Sequence, residues 1–229
     1  MSYMGIDRTV MVAIEKSLVH LKKRDNVLTI GRQGVHLGEQ PAPYCEEMFT
    51  NKLNFKNIES LDYSKYEGAS IIHNLNKPVD PSMGKYDFIL DGGSIEHVFN
   101  IPQALENVID LLEVDGVFCS VNGNNNFSGH GMYQFSPELY LSCFTQQYGM
   151  QIKEMYLAVR GTSGTDLQWI DVYSNKFTDG NRTTQRYGGQ YASHEVYIIV
   201  IAQKISDDRD SLIESPPNQY SYESHDWKA

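Results

Sequence analysis

Tyr86-Asp87-Phe88-Ile89-Leu90-Asp91-Gly92-Gly93 is the stretch on which the fold turns. Its first five residues form a run of buried-strand character, and Asp91-Gly92-Gly93 stops it. Downstream, Asn100 stands where a helix N-cap is needed, with Pro102 in the first turn. Ile101, Leu105, Val108, Ile109 and Leu112 then trace one apolar stripe, and Asp115-Gly116 turns the chain into Val117-Phe118-Cys119-Ser120-Val121. Strand, helix and strand in this length make a right-handed parallel crossover.

Outward from this unit the same alternation continues. Val27-Leu28-Thr29-Ile30 ends at Gly31, and Ile58-Glu59-Ser60-Leu61 and Ala69-Ser70-Ile71-Ile72 are weaker strand runs. Between the first two, Tyr44, Met48 and Phe49 predict one face of a crossover helix over 43–53. Met11, Ile14, Leu18 and Leu21 predict an amphipathic N-terminal helix within 1–24, with Lys22-Lys23-Arg24 at its C-terminus. Ser136-Pro137-Glu138 starts another helix running towards Tyr148-Gly149. Strands at 152–159 and 196–202 flank a polar insertion over 161–193. The expected fold class is α/β, a doubly wound and mostly parallel sheet with a C-terminal antiparallel strand. One domain spans 1–205, and an acidic tail covers 206–229, with Tyr220, Tyr222 and Trp227 as its docking candidates.

Composition narrows the function. A chain of 229 residues supports one full core and not two ordinary enzyme domains. A formal charge of −10 opposes nucleic-acid phosphates and anionic lipid surfaces, so neither a nucleic acid nor a membrane is an expected partner. Cys45, Cys119 and Cys143 are odd in number and widely spaced, which argues against a disulfide framework and a cysteine zinc cage. No metal site is expected. With no bilayer-length apolar stretch and no leader pattern, a cytoplasmic location is expected. A homodimer is compatible with the sequence.

In parallel sheets, ligands bind outside the carboxyl ends of the strands. Gly31-Arg32-Gln33-Gly34 closes the first strand, where glycines let the backbone approach a ligand; a tight turn explains them equally well. Neither a G-x-G-x-x-G nor a G-x-x-x-x-G-K-[ST] pattern is present. Asp62 ends the second strand and suits a ribose diol, while Asn74 and Leu75 after the third suit an adenine edge and face. A solvated loop acid and a turn before Pro78 are the alternatives there. Asp91, Glu96 and His97 crowd three titratable groups at the fourth strand end. The fifth leads into a loop from Asn122 to Ser136 that interleaves asparagines with Phe127, Tyr133 and Phe135, a composition suited to a polar organic ligand.

This order of features resembles the class I S-adenosylmethionine-dependent methyltransferases with their Rossmann-like sheet, and most of all small stand-alone members with a Leu-Glu-His-Val-type motif, here Ile95-Glu96-His97-Val98. The resemblance covers roughly Val27 to Lys204, and its specific part runs from Tyr86 to Glu138. It implies S-adenosyl-L-methionine as cofactor. Gly31 and Gly34 would lie against the methionine part, Asp62 against the ribose, Asn74 and Leu75 against adenine, and Asp91 and Gly92 against the amino-acid end. The departure is Thr29-Ile30-Gly31-Arg32-Gln33-Gly34, where the family's usual acid before the glycines is missing and Arg32 and Gln33 stand in the turn.

Methyl transfer mainly requires a nucleophile placed in line and the exclusion of water. A hydroxyl acceptor gains from a general base, for which His130 and His97 are the candidates, with Asn126, Tyr133 and Gln134 on the acceptor side. The leading expectation is transfer to oxygen or nitrogen of a small polar metabolite or saccharide. A non-catalytic binding module on the same sheet is the alternative. A nicotinamide-dependent oxidoreductase is disfavoured by the absent dinucleotide fingerprint.

Overall fold

The computed structural model describes residues 5–38, 43–161, 167–173 and 193–218. In chain order these form α1 (Arg8–Ser17), β1 (Asn26–Ile30), β2 (Asn57–Asp62), β3 (Ile71–Ile72), β4 (Tyr86–Gly92), α2 (Ile101–Leu111), β5 (Leu112–Asn125), α3 (Pro137–Cys143), β6 (Met150–Arg160), β7 (Leu167–Asp171) and β8 (Val196–Lys204). Among the described residues the strands make one eight-stranded sheet, ordered β3-β2-β1-β4-β5-β8-β6-β7. The β3–β2, β2–β1, β1–β4 and β4–β5 pairs are parallel. β8 inserts antiparallel between β5 and β6, and β7 is antiparallel on the outer side of β6. The doubly wound α/β expectation is met, with more antiparallel structure at the C-terminal end than one strand. No described helix is long and apolar enough to cross a membrane.

The central unit forms for the reasons its residues give. The Asn100 side chain accepts from the Gln103 amide, Pro102 lies in the first turn, and α2 buries Ile101, Ala104, Leu105, Val108 and Ile109. Those residues share a core with Tyr140, Leu141 and Phe144 on one face of the sheet. Val10, Ala13 and Ile14 of α1 cover the other face with Met48, Phe49, Phe55 and Phe88. Both faces are thereby sealed, leaving strand ends as the place for a ligand. β4 and β1 pair directly although β2 and β3 intervene in sequence, so the strand order reverses beside β1.

Several elements differ from expectation. The crossover over 43–53 is reduced to a short π-helical turn, Met48–Lys52, although Met48 and Phe49 are buried as expected. Thr50 Oγ1 donates back to the Glu46 carbonyl at 2.8 Å, and Asn54 adopts a left-handed φ of 61°; both work against a longer helix. α1 stops at Ser17, whose hydroxyl donates to the Ala13 carbonyl, so Lys22-Lys23-Arg24 lies beyond the helix and Lys22 pairs with Asp115 instead. α3 ends at Cys143, short of Tyr148, and a separate 3-10 turn, Gln146–Tyr148, precedes Gly149. β7 lies inside the expected insertion; 162–166 and 174–192 fall outside the described residues.

Beyond β8 the chain does not leave the body at once. Arg209 forms ion pairs with Glu106 at 3.2 Å and Asp110 at 2.6 Å, and the Leu212 amide donates to Glu106 at 2.9 Å. Residues expected to be the start of a tail are fastened along α2. Tyr220, Tyr222 and Trp227 lie outside the described residues.

Candidate functional site

A cleft of about 680 Å³ opens at the carboxyl ends of β1 and β2. It brings together six of the expected cofactor residues: Gly31, Gln33, Gly34, Asp62, Asn74 and Leu75. Its volume is within the range of about 300–1,000 Å³ usual for small-molecule sites. Gly31 has φ of +73°, and a β-carbon there would lie 2.8 Å from the Ser94 hydroxyl, so glycine is demanded both by conformation and by space. Asp62 accepts from the Ser64 amide through Oδ1 at 3.3 Å. The Asn74 Oδ1 accepts from Asn76, and Leu75 is fixed by its carbonyl to Asn107.

Gln33 is the informative member of the turn. It is buried, and its Nε2 donates to the Ile30 carbonyl at 2.7 Å and to the Ser94 hydroxyl at 3.3 Å. Its Oε1 has no hydrogen-bond partner. A buried carbonyl oxygen without a donor costs about 1–3 kcal/mol, and a cationic ligand group would satisfy it. Arg32 is engaged elsewhere: its Nε reaches Glu46 at 2.7 Å, its guanidinium donates to the Glu67 carbonyl, and it stacks over Tyr44.

Asp91 departs from expectation. Its carboxylate is fully buried and turned between the strands, accepting from the Ser94 and Ile95 amides, the Ser120 hydroxyl and the Asn122 amide. Burial pushes its proton affinity up, and those donors pull it back. It therefore fixes the turn after β4 instead of lining the cleft. Gly92 lies against the Gln33 amide, where a β-carbon would come within 2.9 Å of Oε1, and it borders a small void with Glu96 and His130.

The fourth and fifth strand ends meet at Glu96, His97 and His130. The Ile95–His97 turn follows the Asp91 cap, and Glu96 is buried. Its Oε2 accepts from the Gly123 amide at 2.8 Å, and its Oε1 lies 2.9 Å from His130 Nε2 and 3.9 Å from His97 Nε2. Burial raises the Glu96 proton affinity against the pull of the Gly123 amide and His130. Burial and the neighbouring His130 lower that of His97. His97 lines the cleft, while His130 borders the adjoining void. The Met132 and Tyr133 amides both donate to the Glu96 carbonyl, which clips the 127–135 loop onto the turn. That meeting of Glu96 with His130 was not legible in the sequence, because the two are far apart along the chain. The three side chains place one ligand atom each within 4.8 Å of one another.

The three expected acceptor residues mostly build the loop. The Phe127 amide donates to Gln134 Oε1 at 2.9 Å, Tyr133 donates to the Phe99 carbonyl at 2.9 Å, and Asn126 donates to the His194 carbonyl. None of them lines the cleft. Phe99 and Met132, exposed beside the Glu96 cluster, were not singled out from the sequence. A lone exposed apolar residue gives no pattern to find.

No protein-family model matches the sequence, and no curated protein sequence matches it. Solved structures do. A candidate methyltransferase from Bacillus halodurans is similar at 10% identity with a TM-score of 0.53, over 87% of this chain and 100% of that one. The N-methyltransferase NodS from Bradyrhizobium japonicum, in complex with S-adenosyl-L-homocysteine, is similar at 12% identity and a TM-score of 0.50, over 86% of each chain. The [4+2]-cyclase SpnF is similar at 13% identity and a TM-score of 0.51, over 86% of this chain and 80% of its own. The likeness is one of fold: the chain has the Rossmann-like fold of class I S-adenosylmethionine-dependent methyltransferases.

Proposed function

We propose that the chain is an S-adenosylmethionine-dependent methyltransferase acting on an oxygen or nitrogen of a small polar metabolite or saccharide. The observation that carries this reading is the cleft at the strand ends, which joins Gly31, Gln33, Gly34, Asp62, Asn74 and Leu75 and holds the unpartnered Gln33 Oε1. Gly31 and Gly34 allow close approach of the methionine part, and Gln33 Oε1 is an acceptor for its ammonium group. Asp62 suits the ribose diol, and Asn74 and Leu75 suit the adenine. The bound cofactor supplies a methyl group already activated by the sulfonium. His130, held by the buried Glu96 carboxylate, takes the proton from the acceptor, and His97 lies at the cleft wall. Tyr133, through its bond to the Phe99 carbonyl, ties the loop that carries His130 to the segment after His97.

The competing reading is a binding module that keeps the fold without methyl transfer. It is favoured by the absent acid before Gly31, by the engagement of Arg32 with Glu46 and Glu67, and by SpnF, a cyclase on the same fold. Thermal melting at matched ligand concentrations separates methyl transfer from a module that takes no adenosyl cofactor, because only a ligand that prefers the native state raises the midpoint. A module that binds the cofactor without using it is separated by the absence of S-adenosylhomocysteine formation. S-adenosylmethionine and S-adenosylhomocysteine are expected to raise it, and NAD is not. At a hundredfold excess over Kd the gain is about 2.7 kcal/mol. No response to either adenosyl compound would remove the methyl-transfer reading.

A further inference from the structure

We propose that Glu96, His97 and His130 bind one divalent transition cation of the zinc class at the wall of the cleft. Glu96 Oε1, His97 Nε2 and His130 Nε2 converge from two separate segments. Zinc bonds of about 2.0–2.2 Å put neighbouring ligand atoms roughly 3–3.5 Å apart. The observed separations of 2.9 Å and 3.9 Å from Glu96 Oε1 bracket that spacing. All three ligand atoms lie within 4.8 Å of one another.

Three further features distinguish this set from a chance cluster. The Glu96 carboxylate is held by the Gly123 amide through Oε2, which leaves Oε1 directed at the imidazoles. His97 Nε2 is buried with no hydrogen-bond partner. The loop carrying His130 is locked onto the turn by the Met132 and Tyr133 amides, and Gly131 packs so closely that a β-carbon would lie 3.1 Å from the Glu96 carbonyl oxygen. A dication is well suited to a buried carboxylate flanked by two imidazoles. Two imidazoles and one carboxylate suit zinc, iron or manganese, whereas magnesium and calcium favour oxygen sets.

Three protein ligands leave a coordination position open. Glu96 and His130 border the small void beside the cleft, so an acceptor reaching that void would meet the open position. This catalytic meaning rests on the methyl-transfer reading. An acceptor hydroxyl on the cation would release its proton to solvent more readily, and His130 would then be a ligand in place of a base.

The test is calorimetric titration of the chelator-treated full chain with zinc chloride, and with magnesium chloride in parallel. One zinc per chain is expected, with no magnesium binding at the same concentrations. His97→Ala and His130→Ala are each expected to lower zinc affinity at least tenfold, and His20→Ala to leave it unchanged. Glu96→Gln keeps an oxygen for the Gly123 amide and gives the same loss, and melting curves verify that each variant is folded. Absence of zinc binding, equal binding of magnesium, or unchanged affinity in the folded variants overturns the cation site. The S-adenosylhomocysteine melting shift is measured on the same samples. A shift without zinc binding removes the cation site and keeps the methyl-transfer reading. Zinc binding without a shift keeps the cation site and removes that reading.

Discussion

At the scale of single residues, position in the packing decides chemistry more than residue type does. Burial pushes the Cys45 and Cys119 thiols up to about 12 and Cys143 up to about 11, so almost no thiolate exists at neutral pH. The native chain is expected to resist alkylation by iodoacetamide at pH 8, and all three thiols to react once it is unfolded in guanidinium; mass spectrometry counts the adducts. Rapid labelling of any of the three in the native state would contradict their burial. Asp91 teaches the same lesson for the site. Its position at a strand end was plain in the sequence, but its direction was not. Ser120 and Asn122 alternate along β5, and the Asp91–Ser120 register sets all three polar groups on one side of the sheet. Period-two spacing of Ser120 and Asn122 was the available signal that a polar group opposite them would be held inside.

Among elements, those with a strong local cause were readable and those decided by tertiary packing were not. α2 has an Asn cap, an early proline and an apolar stripe, and it forms over Ile101–Leu111; Leu112, expected as the last member of the stripe, instead opens β5, which begins before the expected Asp115-Gly116 turn. The 43–53 segment has one apolar face but back-bonding Thr50 and left-handed Asn54, and it yields only one turn. α3 stops at Cys143 because Phe144 and Thr145 leave the helical region, with ψ of 71° and 169°, and Gly149, with φ of +68°, then ends the next turn and leads into β6. A β-carbon on Gly149 would lie 2.4 Å from the Ser206 carbonyl oxygen. Gly149→Ala is therefore expected to destabilise by about 1–3 kcal/mol from the left-handed backbone alone, with the backbone clash adding to it. Denaturant unfolding measures this, and a loss below about 0.5 kcal/mol would show that the turn relaxes freely.

For the whole molecule, composition and alternation were enough to read the α/β layering, but not how the C-terminal segment is used. The acidic residues after β8 suggested a solvated tail, yet Arg209 reaches both Glu106 and Asp110, and Lys204 donates to the Ile109 and Leu112 carbonyls at the end of α2. A cation there suits the negative end of a helix. Arg209→Ala leaves Glu106 buried without its partner, a change worth about 3 kcal/mol for such pairs. The melting midpoint is then expected to fall by about 6–12 °C, and Glu106→Gln in the same chain to recover part of the loss. An unchanged midpoint would mean that the segment is only loosely attached. At the opposite margin the outermost strand, β3, contributes only Ile71 and Ile72. So short a rim offers a second sheet too few unpaired amides and carbonyls to latch onto, and the molecule is guarded on that flank against growth into ribbons.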